Sequence, residues 1–141
     1  MTATPKAMRF AAAVVGEVVA VVAFVTGCGG GGDHSSLVSA SKCLVRTDGA
    51  TVDFGTSLHE AVSGGALRVV LATNEVQLGF GKDDQEAREI GDEVKAAVSG
   101  TIAARNYPPD KLVVFKKNVV LVWKVPPSEP DRQAVESCLE K

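Results

Sequence analysis

LRVVLATNEVQLGFGKDDQEAREIGDEVKAAVSG, residues 67–100, changes its apolar rhythm once, and that change decides the fold. By apolar periodicity, Leu67 to Leu71 and Glu75 to Phe80 read as two strands. Val76, Leu78 and Phe80 alternate onto one face, as strand side chains do. Thr73-Asn74 marks the turn between the two runs. After Gly81 the period lengthens, and Ala87, Ile90, Val94, Ala97 and Val98 form the stripe of an amphipathic helix. Asp83 with Glu86 three residues on opens that helix, and Gly100 is placed to close it. The segment therefore predicts strand, strand, helix.

The same order recurs downstream. Leu112 to Phe115 and Val119 to Val125 read as strands joined at Lys117-Asn118, and Ser128 caps a helix carrying Ala134, Val135, Cys138 and Leu139. Aligning Asn74 with Asn118 superposes two units of one kind, an internal ββα repeat. Each Asn falls at the second position of its turn, where a left-handed backbone is expected and Asn tolerates it. Upstream, Ser36 to Thr47 predicts a helix that ends near Gly49, and Ala50 to Phe54 a further strand. Ser57-Leu58-His59-Glu60 offers a capping box for a short helix stopped by Gly64-Gly65. The expectation is an α+β fold: a two-layer domain with an antiparallel sheet of four to five strands and helices on one face.

The N-terminus has a different character. Lys6 and Arg9 precede an apolar run from Phe10 to Val25, which ends in Val25-Thr26-Gly27-Cys28. Those four residues resemble the lipobox of bacterial lipoproteins. The resemblance implies a signal peptide, residues 1–27, cut between Gly27 and Cys28, with Cys28 carrying diacylglycerol and a further acyl chain such as palmitate. Two chains anchor stably where one holds only marginally. Gly29 after the acylated Cys implies no retention signal at an inner membrane. Glu17 sits mid-run, and a carboxylate there costs about 2.5–3.5 kcal/mol on insertion scales. The run is also short of the roughly 20 residues a comfortable span needs. Both features favour a transient signal helix over a permanent anchor. Residues 28–35, with glycines from Gly29 to Gly32, read as a spacer, and residues 36–141 as one globular domain.

With Cys28 given to lipid, two cysteines remain, Cys43 and Cys138. In an exported domain they are expected to form a disulfide, the alternative being two buried reduced thiols. Neither has a second Cys or His at metal-ligand spacing, so no metal site is expected. Residues 1–27 hold two of the 15 basic and one of the 17 acidic residues, which leaves 13 and 16, a net charge of −3. That mild, mixed balance disfavours nucleic acid as a partner and supplies no polybasic patch for anionic lipid beyond the anchor itself.

Three constellations could carry chemistry. Gly79-Phe80-Gly81-Lys82 lies between a strand and a helix start, where amides can hold phosphate, but Asp83 stands where a P-loop needs Ser or Thr. His59 with Asp53 or Glu60 offers an acid, a base and an orienting group on paper, although no Ser or Cys occupies a nucleophile turn. Trp123 and Tyr107 could line a ligand groove, while period-two spacing with Leu121 and Val125 suits Trp123 to the core. The proline pairs Pro108-Pro109 and Pro126-Pro127 fit turns. No cofactor fingerprint is present. The sequence thus points to a lipid-anchored protein on the extracytoplasmic side of the cell membrane. Its domain is expected to be a non-enzymatic binding module for an envelope protein or small ligand. The alternative is a small exported enzyme or sensor built on His59.

Overall fold

A computed structural model of the chain describes residues 35–101 and 105–140. The expected signal peptide, Cys28, and the spacer up to residue 34 lie outside the described residues. Among the described residues the order is α1 (Leu37–Leu44), β1 (Thr51–Asp53), a 3-10 turn (Ser57–Glu60), β2 (Ala66–Val70), β3 (Glu75–Phe80), α2 (Asp84–Ser99), α3 (Pro109–Leu112), β4 (Val113–Lys116), β5 (Val119–Trp123) and α4 (Glu129–Glu136). The five strands form one antiparallel sheet in the order β1-β2-β3-β5-β4. The α+β class and the antiparallel sheet are those the sequence predicts.

Register explains the layering. Leu67 pairs with Leu78, Leu78 with Leu121, and Leu121 with Val114, so these side chains share one face. Val69, Val76, Phe80, Val119 and Trp123 join them, and this face packs on Ala40 and Leu44 of α1 and on Val135, Cys138 and Leu139 at the end of α4. Ala66, Gly79, Val120, Val113 and Phe115 alternate onto the other face. There Leu58 and Val62, Ile90 and Val94 of α2, and Leu112 complete a second apolar set. Each fully buried Leu or Val contributes about 1.5–3 kcal/mol. The helices, expected on one face, therefore divide between two, because Ala66, Val113, Phe115, Val120 and Val122 make the second face of the sheet apolar as well and it too needs a cover.

The strand-strand-helix order does occur twice. In the alignment of Asn74 with Asn118, however, Val76 matches Val120, and these two residues lie on opposite faces. The likeness is one of element order, with α2 and α4 on opposite sides of the sheet.

The turn asparagines differ from expectation. Lys117 carries the left-handed backbone, at φ 53°, and among described non-glycine residues it stands alone in that. Asn74 and Asn118 are buried, and their amides bind backbone. Asn118 Oδ1 accepts from Ser35 N–H at 2.8 Å, and its Nδ2 donates to the carbonyls of Ser35 and Gly81 at 3.0 and 2.9 Å. Asn74 Nδ2 donates to Val125 O at 3.1 Å, and its Oδ1 accepts from Glu75 N–H at 2.8 Å. Extending the β3–β5 register by one and two pairs sets Gly81 opposite Asn118 and Asn74 opposite Val125. The central ladder thus has an asparagine side chain closing each end.

Helix caps follow the sequence with one shift. Ser36, Asp83 and Ser128 cap α1, α2 and α4 through their side chains. At the 3-10 turn the cap is Thr56 rather than Ser57. In α2, Gly91 faces the Phe115 ring so closely that a methyl group would collide with it. Arg88 and Lys95 flank the same ring at 5.7 and 5.3 Å from its centroid.

Candidate functional site

Cys43 in α1 and Cys138 just beyond α4 form a disulfide, with Cα atoms 5.5 Å apart and 95 residues of separation. The bridge ties the first described helix to the end of the last. Thr47 Oγ1 lies 3.8 Å from Cys138 Sγ. Around the bridge, Ser39, Lys42, Arg46, Thr47 and Ser137 line an open hollow of about 540 Å³. Cys28 lies outside the described residues.

The acid-base constellation is taken apart by the fold. The Asp53 carboxylate accepts from Gly55 N–H at 2.9 Å and pairs with Arg68 at 2.8 Å. Its acidity is strengthened first by the Gly55 amide and then by Arg68, which holds its pKa below the ordinary aspartate range. His59 and Glu60 sit exposed in the 3-10 turn. Among the described residues no hydrogen bond or ion pair joins either side chain to Asp53. Arg68, which sequence reasoning passed over, is the centre of this region. It also reaches Glu75 at 3.8 Å, and it stands beside Gln77, which accepts from the hydroxyls of Thr56 and Ser57. The signal was present in the sequence: Arg68 and Gln77 occupy the polar positions of two alternating strands.

Trp123 is 2% exposed and belongs to the core of its sheet face, so it lines no groove. Among the described residues its indole N–H has no hydrogen-bond partner. Tyr107 is 37% exposed, on the chain leading to α3. The two aromatics are not brought together.

The glycine turn at residues 79–82 is a packing device. Gly81 N–H donates to Asn118 O at 2.8 Å, and Lys82 N–H donates to the Glu86 carboxylate. Glu86 also accepts from Ser63 Oγ at 2.5 Å. Ser63 first, and the Lys82 amide second, hold the Glu86 carboxyl below its usual range. The amides that could have cradled phosphate are thus already bonded, and a carboxylate stands among them. Among the described residues no group of three or more His, Cys, Asp or Glu is placed to hold a metal ion, and no helix is long and apolar enough to cross a membrane.

Comparison with protein-family models, with curated proteins and with solved structures finds no match.

Proposed function

We propose that this chain is a lipid-anchored protein of the cell envelope, held through Cys28 on the extracytoplasmic side of the membrane, with a domain that serves as a non-enzymatic binding module. The observation that carries this reading is the Cys43–Cys138 disulfide. Structural disulfides persist in oxidising compartments and are rare in the cytosol. Such a bridge directly behind a complete lipobox, Val25-Thr26-Gly27-Cys28, agrees with an exported domain on a lipid anchor.

Binding rather than catalysis is supported by how the polar groups are used. Asp53 is engaged by Arg68 and Gly55, Glu86 by Ser63 and Lys82, and both buried asparagines by backbone. His59 stands apart from Asp53, and a general base needs hydrogen-bond reach to its partners.

The test is intact-mass analysis of the membrane-extracted protein, before and after thiol reduction under denaturing conditions. The expected mass begins at Cys28, carries acyl additions and rises by two hydrogens on reduction. A Cys28→Ala chain is expected to lose the acyl mass. Native protein that retains residues 1–27 without acyl chains would overturn the anchor.

A further inference from the structure

We infer that the outer face of α1 is a membrane-docking surface, seating anionic lipid headgroups of the same bilayer that holds the anchor. The proposal rests on the lipid-anchor reading and adds to it a second, non-covalent contact.

The first observation is an unpartnered stripe. Ala40 and Leu44 bury the inner face of α1, while Val38 and Val45 are 58% and 61% exposed. They lie seven residues apart, hence nearly in line on a helix, with exposed Lys42 between them. Isolated exposed valines need no explanation, but two on one short helix face, flanking a lysine, form the pattern of an interfacial helix.

The second is charge. Lys42 and Arg46 stand one helical turn apart, and residues 35–47 contain no Asp or Glu. Both border the hollow beside the disulfide, along with Ser39, Thr47 and Ser137. Two cations and three hydroxyls suit a phosphate group, and a basic residue near an anionic leaflet is worth about 1 kcal/mol. The linear sequence shows no basic run here; the helix turn and the disulfide collect the groups.

The third is reach. Ser35 lies seven positions beyond Cys28, a distance along the chain that spans at most about 25 Å even fully extended. Ser35 is fixed to the domain by Asn118 and by its own hydroxyl, which donates to Leu139 O. α1 begins two residues later. Of the described helices α1 is therefore the one whose start is nearest the lipid along the chain, and it is short enough to lie flat within that reach, at about 12 Å.

The experiment uses the full-length acylated protein in phosphatidylglycerol–phosphatidylcholine vesicles, with lysine acylation rates read by peptide mass spectrometry. Lys124, exposed just past the end of β5 and outside α1, is the internal reference. Lys42 is expected to react several-fold more slowly in the native protein than in a Val38→Asp/Val45→Asp variant, with Lys124 equal in both. Protection is expected to weaken on pure phosphatidylcholine. Equal Lys42 rates in native and variant protein, with Cys28 acylated in the same sample, overturn the docking surface and leave the anchor standing. Protection that rises with the protein-to-lipid ratio assigns the stripe to a second copy and also overturns it. A Cys28 peptide without acyl chains overturns the anchor and this proposal with it.

Discussion

Asn118 holds Ser35 as a neighbouring strand would, accepting from its N–H and donating to its carbonyl with the two ends of one amide. The same Nδ2 reaches Gly81 O, so one buried side chain joins the entry of the domain, the β4–β5 turn and the end of β3. Replacing it by Ala leaves three backbone groups without a partner. At about 1–3 kcal/mol for an unsatisfied buried group, partly relieved by water, Asn118→Ala is expected to lower stability by about 3 kcal/mol. Urea denaturation checks this, and Asn74→Ala is expected to move the midpoint in the same direction by less.

Gly91 offers a test in which the sign changes. In an open helix Gly91→Ala would gain about 1 kcal/mol of propensity. Against the Phe115 ring the added methyl overpacks, at a cost of about 1–3 kcal/mol. The expected result is a lower melting temperature for Gly91→Ala alone and a higher one when the same change is made in a Phe115→Leu background.

The disulfide closes nearly the whole domain into a ring. In the chain-entropy model, opening a loop of 95 residues costs about 4–5 kcal/mol, much of a small domain's net stability. A Cys43→Ser/Cys138→Ser double variant is expected to shift the urea midpoint downward by that amount, and reduction of the native protein is expected to bring it to the same midpoint.

Glu86 makes stability depend on pH in a defined direction. Its folded carboxyl is held below the unfolded value by Ser63 and the Lys82 amide. Its contribution is thus fully present above the unfolded glutamate pKa, about 4.3, and is lost as pH falls through the folded pKa. Glu86→Gln is expected to be less stable than the native chain at pH 7, with the gap closing on acidification. Urea midpoints at pH 7, 5 and 3 check it.

Local chemistry was legible in the sequence wherever one residue decides one bond. Ser36, Asp83 and Ser128 cap their helices as read, since an N-cap needs only its own side chain and the next turn. The β4–β5 turn at Lys117-Asn118 and the Cys43–Cys138 pairing also follow their signals. The β2–β3 turn falls at Ala72-Thr73, one residue before the expected Thr73-Asn74, because Leu71 N–H bonds to Asn74 O. What escaped depends on distant partners. Asn74 and Asn118 look like turn residues until Val125, Ser35 and Gly81 arrive beside them. The second covered face was hidden because β3 offers it only Glu75, Gln77 and Gly79, so the strand reads as one-sided until Leu58, Val62 and Val120 close over Gly79. Arg68 looked like an ordinary polar strand position because its partner Asp53 lies on another strand, 15 residues away.

The bridge between Cys43 and Cys138 also bears on how the domain would survive a cut. Among the described residues, exposed positions such as Thr101, Tyr107 and Pro108 lie inside the closed loop. A peptidase that clipped one such site would break the backbone without dividing the molecule. Both fragments would stay joined through sulfur, and whatever holds the amino-terminal piece in place would hold the carboxyl-terminal piece with it.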